Sequence, residues 1–461
     1  MTKREGLDPS VLRAYDIRGV VGDTLTEDDM TAIGRAFASE MANRGAKTVA
    51  VGYDGRLTSP AMASALVAGL YQSGASVIQT GMGPSPMAYF ASYKLGTDAC
   101  LMVTGSHNPP DFNGLKMTLQ SKAFYGDDIL ELGARVARQD YIDAEGDISE
   151  QEVFDAYVDR MLIDYEGTKE LSVAWDPGNG AAGDVTKAVT ARLPGRHVMI
   201  NETIDGTFPA HHPDPTVESN LEQLKDLVAR EKCDLGIAFD GDGDRIGVID
   251  AQGRVLWGDQ LLVLLARDVL ADQPGAPILC DVKASRMFFE EIEKLGGKPV
   301  MWKVGHSHIK SKMVELNAPL AGEMSAHIFF KHRYYGYDDA MYAAIRLLSL
   351  LAKSDKSLAE YRDDLPQMVN TPEIRIDCAD DRKFDVIDEL VTQLRKDPDA
   401  DFSDMDGVRV ETEHGWWLLR ASNTQPALVI RCESDTQDGL DHLKDIVRGT
   451  LKAHGLDPAA F

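Results

Sequence analysis

Three times along this chain a short apolar run stops at a loop that contains an aspartate: VAVGYDGR at 49–56, LSVAWDPGNG at 171–180 and APILCDVKAS at 276–285. Each loop leads into a predicted helix, as in MASALVAGLYQSG (62–74) and RMFFEEIEKLGG (286–297), and then into a second apolar run: ASVIQTG, HVMINET or KPVMWKVG. A third segment in each copy ends in a polar loop, at 99–110, 233–245 and 318–330. Strand–helix–strand units of this kind predict mixed, mostly parallel sheets covered by helices. Chemistry in such sheets gathers just beyond strand ends, so the three polar loops are expected to wall one site.

Past residue 367 the pattern changes. The segment WWLLRASNTQPALVIRCE (416–433) reads as a hairpin whose apolar flanks meet at a Ser-Asn-Thr-Gln-Pro turn. Apolar residues at helical spacing predict flanking helices at 384–395 and 440–454. The expected architecture is α/β: three similar mixed α/β domains at 1–150, 151–254 and 255–366, plus a C-terminal α+β domain at 367–461, around a central cleft. A chain of 461 residues is too long for one core, and with no low-complexity linker its domains should pack closely.

Composition narrows the function. A net charge of −26 opposes binding to nucleic acid or to anionic lipid. It also repels anionic substrates, so any phosphate site must gather basic residues locally. The amino-terminal segment lacks the apolar core of a signal peptide. The apolar stretch at 261–266 is cut by Arg267 and Asp268, far short of the roughly 20 residues of a membrane span. Five scattered cysteines share no metal or redox spacing and read as reduced thiols of a cytoplasmic protein.

Four loops carry candidate chemistry. Asp240, Asp242 and Asp244 alternate with glycines after the apolar run 235–239. Glycine permits the tight turn that makes such carboxylates converge, and an oxygen-only set with no nearby Cys or His favours Mg²⁺. An EF-hand does not fit, since its sixth position is Arg245 and its twelfth Ala251; a solvated acidic turn is the plain alternative. Ser106 sits in TGSHNPP, with Lys116 ten residues on. Neither the Gly-x-Ser-x-Gly elbow nor a P-loop is present, leaving a hydroxyl on a stiff loop or simply a turn serine. Glu323, Met324, Ser325, Ala326 and His327 offer groups that hydrogen-bond sugar hydroxyls, or else form an ordinary helix-entry loop. Arg420, Ala421, Ser422, Asn423 and Thr424, with Arg431 across the hairpin, suit a phosphate, although Ser, Asn and Thr also favour turns for conformational reasons.

Taken together, TGSHNP, DGDGDR, GEMSxH and RASNT, in this order and spread from Arg13 to Arg431, resemble the α-D-phosphohexomutases. The resemblance implies that Ser106 carries a phosphoryl group which, with Asp240, Asp242 and Asp244, completes the shell of one Mg²⁺ per chain, and that Arg245 helps hold it. It implies a ping-pong exchange between C1 and C6 of a hexose phosphate, of mannose or glucose, with glucose 1,6-bisphosphate or an equivalent as activator. Tyr15, Lys283 and His306 match substrate contacts. Lys116, with Arg18 and His306, matches the proton-transfer groups. The partner is then a phosphosugar, and the expected state a monomer. A glucosamine-phosphate mutase fits less well because that branch carries Gln at the position of Met324. A sugar-phosphate-binding protein without catalysis should have lost Ser106 or an aspartate, and a phosphatase would differ by admitting water. Two departures stand out. Ala326 replaces the usual glycine, which either narrows the loop or shows that no positive φ is needed there. His308 adds a second histidine beside His306. The His211-His212-Pro213-Asp214-Pro215 segment is expected to play a connecting role.

Overall fold

The computed structural model describes residues 6–379, 381–423 and 426–457. The three repeats share one topology. The first strand of each (Thr48–Tyr53, Leu171–Asp176, Pro277–Asp281) lies at the centre. The second (Ser76–Met82, Gly195–Met199, Lys298–Trp302) pairs parallel on one side, and the third (Ala99–Val103, Leu235–Phe239, Leu320–Gly322) pairs parallel on the other. A fourth strand (Phe112–Leu119, Ile246–Asp250, Ile328–Phe330) returns antiparallel to the third. Parallel neighbours need crossovers, supplied by the helices Ser59–Gln72, Gly183–Thr190 and Arg286–Lys294 and then Ser85–Leu95, Glu222–Glu231 and His306–Leu316. The first and third strands of each repeat are covered on both faces, which is why they read as continuous apolar runs. The third-to-fourth connection is a hairpin with no crossover helix, and in every repeat that hairpin is the polar loop.

The first unit adds a strand at each edge of its sheet, Ile17–Val20 and Asp147–Glu150, and a helix, Glu27–Asn43, opened by a Thr26–Asp29 capping box. The second sheet ends in the short strand Val255–Leu256.

The fourth unit is a six-stranded antiparallel sheet centred on Gly415–Ala421 and Ala427–Ser434, with helices Lys383–Leu394 and Gln437–Ala453. Trp417, Leu419 and Ile430 belong to the core beneath those helices, while Trp416 and Leu418, on the opposite face, pack with Val282 of the third unit. Both faces are therefore buried, which explains the unbroken WWLL. Residues such as Met102, Trp175, Ile237, Leu264, Ile278 and Met341 form one core through the first three units, and the fourth has its own. At the centre of the shared core lies the helix Ala340–Lys353, buried from Ala340 to Ala352 on every side rather than along a single stripe. The sequence pattern starts this helix at Asp338; in the fold Asp339 is its N-cap. Among the described residues no helix is long and apolar enough to cross a membrane, and all five cysteines are free and buried.

Candidate active site

Ser106 lies in the loop that follows the strand Ala99–Val103 and is buried with φ +49°. Two residues from the first loop of the repeat fix that conformation. Asp54 accepts from Thr104 Oγ1 (2.8 Å) and the Gly105 amide (3.1 Å), and the Arg56 guanidinium donates to the carbonyls of Ser106 (2.7 Å) and Asn108 (2.6 Å). Gly105 is needed because a Cβ there would lie 2.3 Å from the Arg56 guanidinium carbon. Arg18 pairs with Asp16 at 2.8 Å and also donates to the Thr104 carbonyl. The Ser106 hydroxyl donates to Asp240 Oδ2 at 3.1 Å and lies 3.3 Å from His107 Nδ1. Burial, then the Arg245 charge, keep His107 neutral well below its ordinary range.

The acidic loop approaches this serine closely. A side chain at Gly241 would place Cβ 2.4 Å from the Ser106 carbonyl oxygen. Asp240, Asp242 and Asp244 are wholly buried, each with a carboxylate oxygen within 4.8 Å of the others. Lys116, on Phe112–Leu119, reaches into the set: its Nζ stands 2.6 Å from Asp242 Oδ2 and also donates to Asp244. Burial opposes the charge on Asp242, but the Lys116 ammonium and the Ser85 hydroxyl hold its carboxyl far below the usual carboxylate range. Burial likewise opposes the Lys116 charge, yet Asp242 and Asp244 raise its pKa, so it keeps its proton. Asp240 is pushed well upward, first by burial and then by the charges of Asp242 and Asp244. Asp242 Oδ1 and Asp244 Oδ1 are buried without a hydrogen-bond partner among the described residues. Unsatisfied buried oxygens facing a surplus of negative charge fit a hard divalent cation.

The third loop is stitched to the second. Residues Arg245 and His327 form a β-bridge, and Arg245 Nε donates to His327 Nε2 at 3.1 Å. Because Nε2 accepts, Nδ1 carries the proton and faces Asp338 at 3.2 Å and Asp244 at 3.5 Å. Glu323 accepts from the Gly305 amide at 2.6 Å, and burial pushes its carboxyl up. Asp281 accepts from the Met324 amide at 2.9 Å, the counterpart of Asp54 in the first repeat. Ser325 is partly exposed. Ala326 has φ +67°, so the left-handed conformation is required here and an alanine adopts it; the alternative that no positive φ is needed is overturned. His306 opens the helix His306–Leu316, where burial and Lys310 keep it neutral well below its ordinary range.

From the fourth unit, Arg420 pairs with Asp406 at 3.2 Å, and Arg431 donates to the Lys283 carbonyl. The register sets Leu418 against Arg431 and Arg420 against Val429, so both guanidinium groups share one face. Lys283 Nζ pairs with Glu373 at 3.1 Å, holding that carboxyl down to about 2. Asn423 donates to the Tyr15 hydroxyl, which itself donates to the Val304 carbonyl at 2.9 Å, joining first, third and fourth units. Ala421 ends its strand, and the Ser422 amide donates to the Ala427 carbonyl at 2.9 Å. Thr424 lies outside the described residues.

Family models for phosphoglucomutase/phosphomannomutase match four consecutive stretches: alpha/beta/alpha domain I at 10–141, domain II at 154–253, domain III at 257–369 and the C-terminal domain at 373–450. A phosphomannomutase/phosphoglucomutase of Pseudomonas aeruginosa is 42% identical over 98% of this chain and 97% of its own. The chain belongs to the α-D-phosphohexomutases. A phosphoglucomutase of Neisseria gonorrhoeae is 39% identical over 96% of this chain and 97% of its own. A crystal structure of a phosphoglucomutase/phosphomannomutase family protein from Burkholderia thailandensis superposes with a TM-score of 0.92 at 41% identity, covering 99% of both chains.

Sequence reasoning missed several residues around this phosphohexomutase site. Asp54 and Asp281 gave one signal, an acidic residue closing the first strand of each repeat, whereas Arg56 gave none. Asp338 gave another, because the following Asp339 suffices as helix cap. Asp406 and Glu373, which hold Arg420 and Lys283, gave none. His211 is paired with Asp176 at 2.9 Å, and its segment brings Asp214 to 3.9 Å from Arg245. His308 packs edge-on against Tyr15 and Tyr125.

Proposed function

We propose that this phosphohexomutase moves a phosphoryl group between C1 and C6 of glucose or mannose phosphates, with Ser106 as the carrier. One observation carries the reading: the Ser106 hydroxyl lies 3.1 Å from Asp240 within a set of three buried aspartates. The names of relatives that cover nearly the whole chain support the reaction class. We take Asp240, Asp242 and Asp244 to hold one Mg²⁺, assisted by a phosphate on Ser106. When bound, the ion would supply positive charge opposite the transferring phosphoryl oxygens.

The chain's own groups divide the remaining work. Arg245, fixed through His327, grips the phosphoryl group, with Arg18 bracing the serine loop. A sugar hydroxyl attacks phosphorus, the P–O bond to Ser106 Oγ breaks, and the serine oxygen takes a proton from Lys116. The hydroxyl proton passes to a neutral imidazole, for which His306 is the candidate. The resulting 1,6-bisphosphohexose turns over and returns its other phosphate to Ser106. Glu323, Met324, Ser325, Ala326 and His327 form the sugar-reading wall. Tyr15, Lys283, Arg420, Ala421, Ser422, Asn423, Thr424 and Arg431 hold the distal phosphate, which draws Arg420 from Asp406 and Lys283 from Glu373. In this reading each of the units 1–150, 151–254, 255–366 and 367–461 gives one wall, glucose 1,6-bisphosphate acts as activator, and the protein works as a cytoplasmic monomer.

A coupled assay with glucose 1-phosphate, with and without glucose 1,6-bisphosphate, tests the reaction. Exhaustive chelation should abolish turnover, with Mg²⁺ restoring it better than Ca²⁺, and peptide mass spectrometry should place phosphate on Ser106. Wild-type turnover by Ser106→Ala would sink the assignment.

A further inference from the structure

A cavity of about 540 Å³ lies between the first and third units, apart from the catalytic loops. The helix Ser85–Leu95 gives it Tyr89 and Tyr93, the helix His306–Leu316 gives it Lys310, and the chain beyond the strand Ile328–Phe330 gives it Lys331, Tyr335 and Tyr337. Tyr125 and Lys122 add a further ring and a further charge to the lining. Among the described residues three lysines and no carboxylate line this space, in a chain that carries 74 acidic residues against 48 basic ones. Lys122 has no ion-pair partner among the described residues, and Lys331 donates only to the neutral Asn317 amide oxygen, at 2.6 Å. Two positive charges in the wall therefore have no carboxylate partner among the described residues.

The rings are arranged as a platform. Tyr93 is 45% exposed and stacks on Tyr335 with centroids 4.9 Å apart, and Tyr335 lies parallel to Tyr337 within 7°. Tyr337 is buried and Tyr335 partly so, which leaves Tyr93 as the open ring of the cluster; an open ring beside unneutralised lysines suits a ligand with one planar ring and one anionic group. The volume falls in the range of small-molecule sites. We propose that this cavity is a second ligand site that takes an aromatic phosphate of the nucleotide class, with the base against Tyr93, which Tyr335 backs, and the phosphate on Lys122 and Lys331.

Occupancy would be felt at the catalytic loops. Lys310 lies over the Tyr89 ring at 4.7 Å and bonds Asp338 Oδ1 at 3.0 Å, while Asp338 Oδ2 faces His327, which accepts from Arg245. An anion in the cavity draws on the Lys310 ammonium and so loosens its hold on Asp338, two contacts from the guanidinium that grips the phosphoryl group.

Calorimetric titration of the full chain with AMP, GMP, UMP and CMP, and separately with adenosine and inorganic phosphate, reads binding without any assay of turnover. One or more nucleotides should bind once per chain, at least about tenfold more tightly than adenosine or phosphate alone, and saturating glucose 1-phosphate should not displace them. Lys122→Ala with Lys331→Ala, and independently Tyr93→Ala, should each weaken binding about tenfold or more while leaving basal turnover unchanged. Bound nucleotide should lower turnover in a way that added glucose 1-phosphate does not relieve. Absence of binding at a few millimolar, full displacement by glucose 1-phosphate, equal binding of adenosine, or indifference to both sets of substitutions would overturn the proposal.

Discussion

Ser106 and Ala326 both stand in the left-handed region, at φ +49° and +67°. A Cβ there clashes with the following carbonyl and costs about 1–2 kcal/mol. At Ala326 nothing but the methyl is lost on mutation to glycine, so Ala326→Gly should raise stability by about 0.5–1 kcal/mol once glycine's greater unfolded freedom is subtracted. A higher urea midpoint at constant m-value would show it, and a lower midpoint would mean that the buried methyl contributes more than the strain. Ser106→Gly and Ser106→Ala should be equally inactive, with the glycine variant about 1 kcal/mol more stable. Lys116 is a different kind of residue, the sole ammonium among the described residues that pairs with Asp242 and Asp244, in a fully buried setting. Lys116→Met should lower the stability of chelated protein by about 3–5 kcal/mol, because it strands two buried carboxylates. Mg²⁺ should then restore more stability to the variant than it adds to wild type. Equal shifts in denaturation midpoint for both proteins would argue against a shared charge environment.

At the scale of elements, the helix Ala340–Lys353 holds the shared core together, and its cap is a buried acid. Asp339 accepts from the Tyr342 amide (2.9 Å) and from the hydroxyls of Tyr334 (2.8 Å) and Tyr157 (3.0 Å). Burial nevertheless pushes its carboxyl up to about 7 against the pull of those donors. An unfolded aspartate titrates near about 3.9, so between those values the folded chain keeps a proton that the unfolded chain has released. The contribution of Asp339 to stability is therefore full below about pH 4, declines by about 1.4 kcal/mol per unit as pH rises, and flattens above about 7. Asn keeps the cap and cannot ionise, so the stability gap between wild type and Asp339→Asn should shift in favour of the variant from pH 5 to pH 7. Denaturant titrations at three pH values would show this, and a gap that does not move with pH would mean the carboxyl is ionised throughout. The third-to-fourth strand hairpins teach a related lesson. Their polar loops are legible one by one, but only the equivalence of their place in each repeat explains why all three face the same space.

For the whole molecule the decisive contrast is between the core that joins the first three units and the polar seam that joins the fourth. Arg409 donates to the carbonyls of Val282 (2.8 Å) and Ala284 (2.7 Å), Ser285 donates to Glu433 (2.9 Å), and Arg286 pairs with Glu411 (2.8 Å), around the small apolar contact of Trp416 and Leu418 with Val282. A chain ending at residue 370 should fold and unfold cooperatively but lose at least about a hundredfold in turnover, since Arg420, Asn423 and Arg431 leave with the fourth unit. Calorimetry of the truncated protein checks the first part, and a broad, non-cooperative transition would show that the seam is structurally required. The sequence by itself determined the repeated strand order, the change to an antiparallel hairpin, and the Ser106, Asp240–Asp242–Asp244, Glu323 and Arg420 loops, because strand periodicity and loop chemistry are local properties. Only the tertiary structure decided that Lys116 lies among the aspartates, that His327 braces Arg245 rather than standing free, that Asp406 and Glu373 pair with Arg420 and Lys283, and that Tyr93 and Lys331 line one cavity. Those pairings join residues far apart in the chain, and their energies depend on burial and distance, which no local pattern encodes.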